Sequence, residues 1–397
     1  MAAQPGHPLR PLLWAGWAAT LGQGIIVPLL PVYADQLGAS RLYVGCIFGA
    51  FALARTLFMP AFGRLSDGYG RKPFITAGLS LYVGASPALV SLTQVVSLLL
   101  IRFMQGIAAA MILPIVLAYA GDLAPAGSEG HTMGKFNAAL ALGLSGGPII
   151  GGMSADVFGL DAAFVGMGLV SFAGCLIAIL FLPPTAEEKG RRSCRRGREV
   201  TTPSVMTRSN SRELGKLWSY RFTYSMCIGT VWCFAPLMAA TLFGLSSFAI
   251  GAMITAGMMV TTVMAPFAGI WADRISKRFL IVGGGLTASM GMLVLACLAQ
   301  SWKFYLASIL LGIAGGLSTP AVTALAVIIG HRGHDLGRTM AVLGTADSSG
   351  MVDGPFLAGL VADVWGLQIA LWGAALLALM ATLPVLFLAP EPEIGVP

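Results

Sequence analysis

The stretch GPIIGGMSADVFGLDAA, from Gly147 to Ala163, returns as GPFLAGLVADVWGLQIA, from Gly354 to Ala370, with nine of 17 positions identical at an offset of 207. Outside it the offset is nearly constant. Gly63 and Asp67 fall on Gly269 and Asp273, and GIAAAMILPIV from Gly106 falls on GIAGGLSTPAV from Gly312, each shifted by 206. A chain of 397 residues that repeats itself at about half its length is built from two like halves. Both copies are apolar, and so is the rest: 56% of residues are hydrophobic, 10% are charged, and the mean hydropathy is +0.82. That composition excludes an ordinary soluble fold. The 51 glycines fit close helix packing in lipid, where small residues let backbones approach.

A bilayer core about 30 Å thick needs about 20 apolar residues per helix. Apolar runs lie near 12–33, 42–62, 73–93, 96–120, 134–157 and 161–183, then 218–240, 247–268, 279–299, 303–329, 338–364 and 367–389. The alternation of a β-barrel is absent, so the expected fold is an all-α membrane protein with twelve transmembrane helices in two six-helix bundles. The expected domains are 1–183, a basic linker at 184–217, and 218–397. Two halves of like orientation imply parallel repeats about an axis along the membrane normal, with inverted three-helix units nested inside each.

Net charge is +7, and ten Lys or Arg with four Glu between Pro184 and Arg221 supply +6 of it. One loop therefore carries the imbalance, which argues against a nucleic-acid partner. With a cytoplasmic N-terminus, the inside loops hold 20 Lys or Arg and the outside loops hold two, Arg41 and Lys303; Arg55 and Arg102 fall within spans. The positive-inside rule then places both termini in the cytoplasm of a multi-pass cell-membrane protein. The linker's arginines read as solvated and close to anionic headgroups. The six cysteines are scattered without a CxxC spacing, so no disulfide framework, metal site or cofactor is expected.

Between spans 2 and 3 lies GRLSDGYGRKP, from Gly63 to Pro73, where glycines permit a tight turn and Asp67 sits among Arg64, Arg71 and Lys72. This matches G-x-L-x-D-x-x-G-R-K and resembles the cytoplasmic loop signature of the major facilitator superfamily; GIWADRISKR, from Gly269 to Arg278, is a weaker second copy. The resemblance implies a conformational latch of Gly63, Asp67, Arg71, Asp122 and Asp273, with Asp67 against a helix end of the other half and Arg71 paired with Asp122. Ordinary loop turning with topology set by positive charge is the plainer reading. In span 5, Gly134, Gly143, Gly147, Pro148, Gly151 and Gly152 follow G-(x8)-G-(x3)-G-P-(x2)-G-G. That pattern resembles the antiporter signature of bacterial drug:proton exchangers. Its physical content is close approach by a neighbour and a proline bend. Arg102, Gln105 and Gly106 in span 4, and Gln23, Pro28 and Pro31 in span 1, resemble positions of the same exporters.

Asp347 and Asp353 in span 11 are the titratable candidates at membrane depth, about 14 and 23 Å from the cytoplasmic end. They stand about 120° apart around the helix. Either could carry a proton, or anchor a structural ion pair. Arg55, Arg102, Gln23 and Gln105 are the cavity candidates. Arg55 could balance an acid or meet an anionic substrate; Arg102 could snorkel outward. The resemblance implies a monomeric bacterial inner-membrane transporter, not an enzyme, exchanging protons for a small amphipathic organic compound by alternating access. The alternatives are the same fold moving a defined metabolite, siderophore or chelated ion, and a non-transporting sensor or assembly factor.

Overall fold

The computed structural model describes residues 9–124, 129–183, 208–297, 300–332 and 336–387. These form helices α1 (Leu9–Ile26), α2 (Leu30–Gln36), α3 (Arg41–Tyr69), α4 (Lys72–Val90), α5 (Val95–Leu123), α6 (Glu129–Phe158) and α7 (Leu160–Phe181). The second half supplies α8 (Arg208–Phe243), α9 (Ser247–Arg274), α10 (Lys277–Ala296), α11 (Trp302–Arg332), α12 (Leu336–Trp365) and α13 (Leu367–Leu386). Together α1 and α2 make one span, interrupted just where Pro28 and Pro31 remove backbone donors. Eleven spans among the described residues are long and apolar enough to cross a membrane, and α12, which carries Asp347, Asp353 and Asp363, is not among them. The protein is all-helical.

Helix ends follow local chemistry. Ser40 caps α3, its hydroxyl accepting from Tyr43 N at 3.4 Å. Gly159 and Gly366 occupy equivalent places in the repeat, with φ of 89° and 92°, and each separates two helices where a side chain would be strained. The prolines are paired as well: Pro60 with Pro266, Pro114 with Pro320, and Pro148 with Pro355, all inside helices. Lys72 and Lys216 donate to the last carbonyls of α7 and at Phe387 beyond α13, complementing the negative helix ends.

Two expectations change in detail. The tight turn expected within Gly63–Pro73 falls at Gly70, φ 94°, because α3 continues through Gly63 and Gly68 to Tyr69 and α4 begins at Lys72. Likewise α8 begins at Arg208, within the stretch read as linker. In both cases backbone hydrogen bonding continues beyond the apolar run, since a helix needs no apolar residues once outside the hydrocarbon.

Two compact units are present. In the first, the described residues up to 183 pack with 232–255; α1 lies against α6 and α7, α3 against α5, and α4 against α5 and α7. In the second, 208–231 packs with 256–387, and α10 lies between α11 and α13. Large apolar side chains such as Phe172, Leu180, Trp372 and Met380 are exposed, while small ones such as Ala108, Ala109 and Ala110 are buried, the distribution expected in lipid.

Candidate functional site: buried charges in two units

In the second unit, Arg221 lies about 20 Å along α8 and Asp347 about 17 Å along α12. Arg221 Nη2 donates to Asp347 Oδ2 at 2.6 Å, and Nη1 donates to Thr319 Oγ1 of α11 at 2.9 Å. The guanidinium also lies 5.7 Å from the ring centroid of Tyr224. Ser225, one turn beyond Arg221, donates its hydroxyl to Asp347 Oδ1. Both carboxylate oxygens are thus engaged. A charge in a span costs at least about 2.5–3.5 kcal/mol, and a close opposite charge offsets that cost. The pair therefore holds one positive and one negative charge together at mid-helix in the second unit.

Sequence reasoning had named Asp347 but grouped Arg221 with the basic segment. Its signal was present, because position 221 lies inside the apolar run that begins at 218. Asp353 is half-buried on the same helix and makes no hydrogen bond or ion pair among the described residues. The structure does not bring it to Arg221.

In the first unit the polar candidates lie on α1, α3 and α5. Arg102 is 2% exposed, so it does not snorkel. Its Nη1 donates to Gln105 Oε1 at 2.9 Å, and Gln105 Nε2 contacts Met167 Sδ of α7 at 3.6 Å. Its guanidinium carbon lies 4.4 Å from the ring centroid of Phe51 and 5.6 Å from that of Phe48. Each such contact contributes about 0.5–2 kcal/mol. An ion removed from water costs several kcal/mol, and no carboxylate pairs with Arg102 among the described residues. Its Nε has no partner there, nor do the buried Tyr82 hydroxyl and Ser171 Oγ. Arg55 is half-buried on the α3 face that carries Phe51, and Gln23 is buried in α1.

The loop candidates Asp67, Arg71 and Asp122 do meet. Arg71 Nη2 lies 2.6 Å from Asp67, Nε lies 3.3 Å from Asp122, and Nη1 donates to Ser66 Oγ at 2.7 Å. One nearly buried guanidinium thereby ties the end of α3 to the end of α5. Gly63 has open space around it, and the Asp273 side chain lies outside the described residues.

The six-position motif on α6 divides by surroundings. A Cβ at Gly147 would lie 2.5 Å from the Cα and carbonyl carbon of Gly24 in α1. Gly143 and Gly151 press on α1 in the same way, Gly152 presses on Ser247 O, and the carbonyl of Pro148 faces Gly251 of α9. Gly134 meets nothing within 4 Å. The repeat holds in three dimensions, since Gly350 and Gly354 of α12 meet Phe222 O and Met226 O of α8. Just beyond this crossing, Asp156 accepts from Ser247 N at 2.8 Å and Phe248 N at 2.9 Å, capping α9. Sequence reasoning missed that role, although Asp156 recurs in the repeat as Asp363. Among the described residues no group of three or more His, Cys, Asp or Glu could hold a metal ion.

The family model described as Major Facilitator Superfamily matches residues 12–230 and 217–397. An uncharacterized MFS-type transporter of Methanocaldococcus jannaschii is 29% identical over 351 residues, covering 87% of this chain and 89% of its own. A multi-drug resistance efflux pump PmrA homolog of Lactococcus lactis is 25% identical over 364 residues, 90% and 88% of the two chains. Among solved structures, a POT family transporter in complex with 5-aminolevulinic acid shares the fold at a TM-score of 0.79 and 14% identity, covering 96% of each chain.

Proposed function

Because the chain belongs to the Major Facilitator Superfamily, and is a multi-pass membrane transporter rather than an enzyme, we propose that it is a proton-coupled antiporter exporting a small amphipathic organic compound. The observation that carries this reading is the Arg221–Asp347 pair joining α8 to α12, a carboxylate and a cation held together at mid-helix. A relative named as a multidrug efflux pump supports the export direction. The excess of basic residues in one set of loops supports cytoplasmic termini.

In this reading protons enter from outside and neutralise Asp347, with Asp353 as the second candidate. Arg221 is then left with its existing contacts to Thr319 and Tyr224, cargo leaves outward, and cargo binding from inside expels the proton. The Asp67–Arg71–Asp122 cluster serves as the cytoplasmic latch, and the α6 glycines let the pathway seal and reopen. The protein works as a monomer. One charge crossing 100 mV supplies about 2.3 kcal/mol, enough for roughly a 50-fold gradient, so a single proton per cycle suffices.

The test is flux of an amphipathic dye in proteoliposomes under an imposed pH difference. Export should stop when an ionophore collapses the difference, and Asp347→Asn should carry dye without responding to it. If Asp347→Asn and Asp353→Asn both keep full proton-linked flux, the proton is carried elsewhere. If the wild type moves nothing under the gradient, the transport reading fails altogether.

A further inference from the structure

Three of the buried polar groups without partners among the described residues, Tyr82 Oη, Arg102 Nε and Ser171 Oγ, belong to the first unit's membrane-depth core. Two of them converge. Tyr82 lies one turn from Gly78, which packs on Ala108 and Ile112 of α5, and one turn from Ser86, which donates to Phe164 O of α7 at 2.9 Å. The Tyr82 side chain, fully buried on that face of α4, lies within electrostatic range of Arg102, which reaches α7 through Gln105 and Met167.

The guanidinium is held in a fixed pose. Two aromatic faces and one amide oxygen locate it, and they use Nη1 while leaving the Nε edge without an acceptor. That edge offers parallel N–H groups matched to the two oxygens of a carboxylate. No acid among the described residues neutralises Arg102, so its charge is incompletely compensated where burial is most costly. The surrounding residues hold a cation ready and provide no anion for it.

We propose that Arg102 and Tyr82 form a subsite for a carboxylate on the exported compound, the carboxylate taking the Nε edge of the guanidinium and the tyrosine hydroxyl. This rests on the transport reading and narrows its cargo to amphipathic compounds that carry an anionic group. Arg102 is closed off in the described conformation, so loading belongs to the conformer in which this junction opens. Gln105 orients the guanidinium, and the Phe48 and Phe51 rings suit the apolar body of an aromatic acid.

The test is equilibrium binding of 2-naphthoate and 2-naphthamide to the purified full-length protein, two probes of the same shape that differ in charge. Naphthoate should bind about tenfold more tightly, the equivalent of one charge-assisted hydrogen bond. Tyr82→Phe should weaken naphthoate about threefold and the amide by less. Arg102→Met should abolish the preference, and Arg102→Lys, which keeps the charge but loses the fork, should retain only part of it. Equal affinities in the wild type, or a preference that persists in Arg102→Met, would overturn the proposal. The measurement needs no gradient, so it can fail while proton-driven flux stands, and flux can fail while binding stands.

Discussion

Replacing Asp347 by Asn preserves the shape of the side chain and removes its charge. Arg221 is then left with the Thr319 hydroxyl and the face of Tyr224. A lone charge at membrane depth costs about 2.5–3.5 kcal/mol. The Asp347 side chain is 38% exposed, so water reaches the pair and screens it, and the expected loss is about 1–3 kcal/mol. At roughly 2–4 °C per kcal/mol for a unit of this size, the melting temperature should fall by on the order of 5 °C. Arg221→Gln should cost less, because a stranded carboxylate can shed its charge by taking up a proton and a guanidinium cannot. The double variant removes both charges and should recover to within about 1 kcal/mol of the wild type. The assay is thermal unfolding of the four proteins in one detergent at one scan rate, since unfolding of such chains is kinetically controlled. Single losses that simply add in the double variant, to within about 0.5 kcal/mol, would refute the reasoning.

Gly147→Ala should lower the melting temperature by the equivalent of about 1–3 kcal/mol, because the new methyl meets the backbone of α1, whereas Gly134→Ala should be neutral or stabilising by up to about 1 kcal/mol. Equal effects at the two positions would show that the motif acts as a uniform packing stripe. Asp156→Ala should remove a cap of about 0.5–2 kcal/mol and speed hydrogen exchange at the Ser247 and Phe248 amides roughly 2- to 30-fold; unchanged exchange would mean that the cap contributes nothing. Asp67→Asn should slow flux while leaving cargo affinity at the inner face within about threefold, since a partly exposed ion pair contributes little to binding elsewhere. A large loss of affinity would place Asp67 in the binding pocket.

Much of this site could be read along the chain. The loop signature implied the Arg71–Asp122 pairing, while it set Asp67 against a helix end of the other half and not on Arg71, and the positive-φ glycines at 159 and 366 stand at matching places in the repeat. Other features were present in the letters but not interpretable there. Gly134 and Gly147 look alike in the motif, and only the position of α1 sets one against backbone and leaves the other in open space. Asp156 lies within the very stretch that reveals the repeat, yet its partners, Ser247 N and Phe248 N, are backbone atoms about ninety residues away. Backbone donors have no sequence signature beyond the helix end that exposes them.

What the chain alone determined is its class: membrane-length helices, two like halves, and few charges within the spans. The bilayer imposes these one segment at a time, through apolar length and backbone satisfaction, and both are local properties of sequence. What only the tertiary structure decided is the pairing of those charges. Arg221 meets Asp347 from 126 positions away, while Arg102 meets two phenylalanines and no acid among the described residues. Helix rotation and packing set such distances, and a shift of one residue turns a side chain by about 100°.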